Sequence, residues 1–195
     1  MTGLQNDATP GRRVLVGGLS HEELLARLDE ARVLLNVHAE TLLAAAAVEG
    51  PSEAETLVIV ERSVRELGLP EGGTLPEIYE RALADGLRLC PPATAAYLRL
   101  ALHDQASAPD SVLSAGRAPS GSLTVAAPRL RDDPDFPAGL YLRVIDDRPW
   151  LRGYRCDDQH EWSADDMFVF SGGGLIAPRP TDPHDRDGDG WACNG

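Results

Sequence analysis

The chain has 195 residues, 43% apolar and 25% charged, a balance that supports one globular core and argues against a disordered chain or two full-sized domains. Its formal charge of −13 is carried against 18 arginines and no lysine, which opposes a sequence-independent grip on a phosphate backbone; no direct nucleic-acid ligand is expected. No apolar run approaches the ~20 residues that cross a bilayer, and the stretch after Arg12-Arg13 stops at Gly17, which suits neither a Sec nor a Tat signal, so a cytoplasmic protein without a membrane contact is expected.

Residues 1–19 are polar and aperiodic and read as a flexible N-terminal arm. Ser20-His21-Glu22-Glu23 has the spacing of a capping box. Leu24, Leu25, Leu28, Ala31, Leu35, His38, Ala39 and Leu42 then recur at three and four, which predicts one helix running to about Val48 before Gly50-Pro51 stops it. Residues 56–60 are β-branched and predict a buried strand. Ser63-Val64-Arg65-Glu66 is a second box, starting a single turn before Gly68-Leu69-Pro70. Thr74-Leu75-Pro76-Glu77 is a third, with proline in the first turn, where its missing amide costs nothing; it opens a helix through Ile78, Tyr79, Ala82 and Leu83 to Gly86. Cys90-Pro91-Pro92 forces an extended bend.

From Tyr97 the period reads as two. Residues 97–103, 122–126, 140–145, 150–154 and 167–170 are expected to be strands, with Asp146-Asp147-Arg148-Pro149 turning a hairpin between the third and fourth. The longest loop of the body is expected between Asp104 and Gly121. Helices followed by strands predict an α+β fold: N-terminal helices packed on one face of a mostly antiparallel sheet, forming a body at 20–171, with a Gly/Pro linker and a loop appendage at 172–195.

The pattern Leu67-Gly68-Leu69-Pro70, Thr74-Leu75-Pro76-Glu77-Ile78, Leu89-Cys90-Pro91, Leu98-Arg99-Leu100, Asp104-Gln105, Trp150-Leu151-Arg152-Gly153-Tyr154 and Phe168-Val169-Phe170 resembles a widespread family of uncharacterised bacterial proteins. The resemblance spans roughly residues 20–170. Members of that family sometimes carry the label helicase, but this chain has no G-x-x-x-x-G-K-[ST] loop and no lysine to serve one, so the resemblance implies no motor.

The tail carries the most specific chemistry. Asp185, Asp187 and Asp189 alternate and Gly190 follows at the sixth position, where an EF-hand loop needs glycine for its turn. Calcium is hard and takes six to eight oxygens: three carboxylates and the carbonyl of Trp191 at position seven supply four, while position nine is Cys193. The bidentate acid of position twelve would fall at 196. Asp185, Asp187, Asp189, Gly190 and Cys193 also resemble the excalibur calcium-binding motif, in which a glutamate follows the cysteine; here Asn194 stands in that place. The resemblance implies calcium as the bound ion, with Asn194 Oδ1 or the Gly195 carboxylate as substitute ligand, and a paired cysteine whose partner would be Cys156. Three cysteines without Cys-x-x-Cys spacing read instead as reduced thiols, and both readings stand. So few fixed charges predict a dissociation constant of ~10⁻⁴ M or weaker.

Other clusters have blander readings. His21-Glu22-Glu23 lacks the second histidine of a zincin and reads as a helix first turn. Ser171-Gly172-Gly173-Gly174 reads as a linker rather than an anion cradle. Cys156, Asp158, His160 and Glu161 read as an exposed hairpin loop rather than a metal or nucleophile site, and Cys90 as a small buried hydrophobe. With no nucleophile elbow, Rossmann glycines or kinase set, the expected function is that of a non-enzymatic accessory or interaction protein with an unidentified protein partner and a weak calcium-binding tail. One alternative is an acidic inhibitor or immunity-type protein that neutralises a basic partner; another is a hydrolase whose site is scattered along the chain.

Overall fold

The computed structural model describes residues 11–48, 53–109 and 118–172. Strand β1 (Arg12–Val16) is followed by α1 (His21–Glu30), β2 (Leu34–Leu35), α2 (Val37–Val48), β3 (Glu55–Ser63), β4 (Gly73–Thr74), α3 (Leu75–Ala84), α4 (Thr94–Ala101), β5 (Leu123–Val125), β6 (Gly139–Ile145), β7 (Arg148–Tyr154), β8 (Glu161–Trp162) and β9 (Met167–Ser171). Seven strands form one mixed sheet in the order β1-β3-β9-β5-β6-β7-β2, and β4 pairs with β8. The β5·β9 and β2·β7 pairings are parallel and the other four in the large sheet antiparallel, so the fold is α+β with a mostly antiparallel sheet. Among the described residues no helix is long and apolar enough to cross a membrane.

Successive residues of β9 point to opposite faces, and they divide the core in two. Val169 packs with Leu28, Leu43, Leu98 and Leu151, beneath α1, α2 and α4. Phe168 and Phe170 pack instead with Val64, Ile78, Ala82 and Trp162, beneath α3. The expectation of helices on one face is therefore corrected: α3 covers the opposite face, because every second side chain of β9 is a large aromatic that needs its own cover.

Three local expectations change as well. Residues 12–16, expected within a flexible arm, form the edge strand β1, whose Val14 and Val16 are buried while Leu15 is exposed. The helix expected from 21 to 48 is two helices. Arg32 adopts φ 56°, its N–H donates to the Asp29 carbonyl, and Val33 N–H donates to the Leu28 carbonyl. These are the two bonds of a Schellman stop, accompanied by the contact of buried Val33 with buried Leu28, and the left-handed residue is an arginine where glycine is usual. Residues 97–103, expected as a strand, belong largely to α4, in which Thr94 through Arg99 are all buried. A helix buried all round shows no 3.6-residue stripe, while alanines 95 and 96 favour the helix.

Asn36 joins the second helix to the sheet. Its Oδ1 accepts from Ala39 N–H at 2.9 Å, capping α2, and from Gly153 N–H at 2.8 Å, while its Nδ2 donates to the Gly153 carbonyl at 3.0 Å. One amide side chain thus extends the parallel β2·β7 ladder by a residue and starts a helix. The two-residue hairpin at Asp146-Asp147 uses φ 49° and 59°, the primed turn whose twist matches the flanking strands β6 and β7.

All three predicted boxes form. Glu23, Glu66 and Glu77 accept from the backbone N–H of Ser20, Ser63 and Thr74 at 2.8, 2.7 and 2.8 Å. The middle one caps only a turn. Backbone donation to the charged form, followed by donation from the neighbouring hydroxyl, holds all three carboxyls below their ordinary value of 4.5. A group whose folded pKa is depressed contributes stability above its unfolded pKa and loses it as pH falls through the folded value. The melting temperature is therefore expected to hold steady near neutrality and to fall below pH 4.5, and Glu23→Gln/Glu66→Gln/Glu77→Gln to flatten that fall. Because the three groups are exposed the slope is shallow; identical acid profiles in the two proteins would show that the boxes do not contribute.

Candidate functional site

The loop after β7 holds the one sequence cluster of cysteine, histidine and acids that falls within the described residues. Arg129 organises it: its Nη2 donates to the Cys156 carbonyl and to Asp158 Oδ1, both at 3.0 Å. Asp157 Oδ1 accepts from Gln159 N–H at 3.0 Å and closes an Asx turn. His160 stands edge-on to Trp162, with ring centroids 5.3 Å apart, and Asp158 and Glu161 face solvent. These contacts shape a segment that leads from β7 to β8; because β8 pairs with β4 and not with β7, it is a crossover between the two sheets, which corrects the expectation of a hairpin loop. Among the described residues no group of three His, Cys, Asp or Glu side chains is placed to hold a metal ion.

The thiols differ in access. Cys90 is buried, its N–H donates to the Ala126 carbonyl at 2.7 Å, and burial pushes its thiol up to about 12. Cys156 is half-buried; burial raises its thiol and the Arg129 guanidinium opposes the rise. Since the thiolate is the reactive form, iodoacetamide at pH 8 is expected to label Cys156 well ahead of Cys90, as read by peptide mass mapping. Equal labelling would mean that Cys90 is not sealed in the core.

His21 is the first residue of α1, beside an apolar groove of about 160 Å³ lined by Leu24, Leu43, Ala47, Ala93 and Tyr97. Ser171 and Gly172 do not form a cradle: Ser171 ends β9, and Gly172 N–H donates to the Val58 carbonyl at 2.7 Å. Gly173 and Gly174, and the predicted calcium ligands Asp185, Asp187, Asp189, Trp191 and Asn194, lie outside the described residues, as does Cys193.

A site that motif reading passes over lies between the end of α4 and the β6–β7 hairpin. A cleft of about 260 Å³ is lined by Arg99, His103, Gln105, Ser107 and Asp147, with Val33 and Leu102 among its apolar walls. Arg99 comes from the last turn of α4 and is only 4% exposed. Its Nη2 donates to the Leu102 carbonyl, and its Nη1 to Gln105 Oε1 at 2.6 Å. Gln105 is held in turn, its Nε2 donating to the carbonyls of Gly121 at 2.9 Å and Leu142 at 3.1 Å. Burial alone pulls the Arg99 pKa below its ordinary value. The signal in the sequence is faint: Leu98-Arg99-Leu100 and Asp104-Gln105 belong to the pattern that carries the family resemblance, but the period of two reads residues 97–103 as a strand, whereas Arg99 lies in α4.

No protein-family model, curated protein or solved structure matches this chain.

Proposed function

We propose that this protein is a non-enzymatic accessory protein whose α+β body carries a weak calcium-binding loop at its C-terminus. The observation behind the reading is the spacing of Asp185, Asp187 and Asp189 before Gly190, which sets three carboxylates and the Trp191 carbonyl in the order a calcium loop requires. Asn194 adds a further oxygen where the excalibur pattern has glutamate. Three aspartates so close together repel one another without a cation, so calcium both orders the loop and relieves that repulsion. Gly173, Gly174, Pro178, Pro180 and Pro183 lie between β9 and the loop, a composition from which little coupling of the loop to the body is expected.

Millimolar calcium is therefore expected to move the amide NMR signals of residues 185–191 while leaving the melting temperature of the body unchanged. Asp187→Asn is expected to abolish the response. A rise of several degrees in the body's melting temperature that survives Asp187→Asn would place the ion elsewhere. The charge of −13 favours a second reading, an acidic protein that neutralises a basic partner, since complementary fields accelerate encounter. That reading predicts association with a basic partner that weakens with salt and is indifferent to calcium.

A further inference from the structure

We propose that the cleft over Arg99 binds a small organic carboxylate. A guanidinium offers five N–H donors, and those of Arg99 meet only two neutral acceptors, the Leu102 carbonyl and Gln105 Oε1. Its Nε–H is buried without a partner. No carboxylate forms an ion pair with Arg99 among the described residues. A buried cation whose charge is answered only by amide oxygens and the partial charge of a helix C-terminus is costly to keep, and the same cost makes it a strong attractor for an anion that reaches it.

The cleft gives such an anion a place. Arg99 forms part of its wall, and its 260 Å³ suits a ligand of a few heavy atoms. Gln105 cannot swing its amide group toward the ligand, because both Nε2 hydrogens are committed to the carbonyls of Gly121 and Leu142. It therefore fixes one edge of the guanidinium; Nε–H is sealed from solvent, so the donors left to a ligand are the second hydrogens of Nη1 and Nη2. A planar carboxylate matches a fork of parallel N–H groups. His103 and Ser107 stand at the mouth, together with Asp147, whose N–H donates to Ser107 Oγ at 3.2 Å. The Asp147 carboxylate penalises a doubly charged phosphate more than a monocarboxylate, and the charge of the whole chain acts in the same sense. The site is independent of the calcium loop.

The test is titration of the full chain with acetate, propionate and inorganic phosphate at matched ionic strength, read from the Arg99 Nε–H and the amides of residues 99–107 and 147 by NMR. Acetate or propionate is expected to saturate with a dissociation constant in the millimolar range, moving the Arg99 Nε–H downfield. Arg99→Lys, which keeps the charge and loses the fork, is expected to weaken binding at least tenfold. Asp147→Asn leaves the fold intact, because asparagine accepts the left-handed turn position, and is expected to tighten binding several-fold. Non-saturable shifts, equal affinity in Arg99→Lys, or phosphate binding more tightly than acetate would each overturn the assignment. So would an Asp147→Asn variant with unchanged affinity.

Discussion

Replacing Phe168 with alanine is expected to cost about 3–5 kcal/mol, a large part of the stability of a domain this size. The ring is 0% exposed, stands edge-on to Trp162 at 4.9 Å between centroids and stacks against Phe170 at 6.3 Å. It sits at the centre of the smaller core, on the face of the sheet covered by α3. Few neighbours there can close over the gap: Val64 and Ile78 are themselves wedged between the sheet and α3. Urea unfolding should show a lower midpoint with an unchanged slope. Leu15→Ala, on the exposed face of β1 with 60% of its surface in solvent, provides the contrast and should fall within about 0.5 kcal/mol of the parent. A loss under about 1 kcal/mol for Phe168→Ala would mean that the aromatic face is not a separate core.

Gly153→Ala is expected to be nearly as damaging, for a steric reason. A Cβ at Gly153 would lie 2.6 Å from the carbonyl carbon of His38 and 2.8 Å from the Ala39 nitrogen. Both are backbone atoms in the first turn of α2, so no side chain can rotate away. The helix would have to lift from β7, breaking the Asn36 bonds that hold it there. Overpacking of this kind costs roughly 1–3 kcal/mol, and loss of the Asn36 cap adds up to ~2 kcal/mol. Asn36→Ala alone should show the smaller part, about 1–2 kcal/mol, without the steric part. If Gly153→Ala proved no worse than Asn36→Ala, the close approach of α2 to β7 would be in doubt.

These two positions also mark what a single sequence conveys. The boxes at Ser20, Ser63 and Thr74 were legible because the signal is local: a hydroxyl and a carboxylate three residues apart specify their own geometry. Strands β3, β5, β6, β7 and β9 were legible from β-branched and aromatic runs, and the Asp146-Asp147 turn from its composition. The break between α1 and α2 was not, since Arg32 takes the left-handed position without a glycine, and the apolar stripe runs across the break. Helix α4 was hidden by burial on all sides, which erases periodicity. The strand β1 was hidden by brevity, five residues with two arginines.

For function the asymmetry runs the other way. Asp185, Asp187 and Asp189 lie close enough in sequence for their spacing to suggest a calcium loop without a fold, and they lie outside the described residues. The Arg99 cleft draws its lining from the segment after α1, from α4, from the loop after α4 and from the β6–β7 hairpin, so only the folded chain assembles it. An arginine inside an apolar run signals little by itself; what distinguishes Arg99 is the neutrality of its partners, which is a property of three dimensions.

Calcium binding by the alternating aspartates of the C-terminal loop, as proposed, is tested most directly by equilibrium dialysis of the full chain against radioactive calcium. Saturation is expected at one ion per chain with a dissociation constant of ~10⁻⁴ M or weaker, with no retained ion in Asp187→Asn. Absence of retained calcium at millimolar concentration in the parent chain, or undiminished retention in Asp187→Asn, would contradict it.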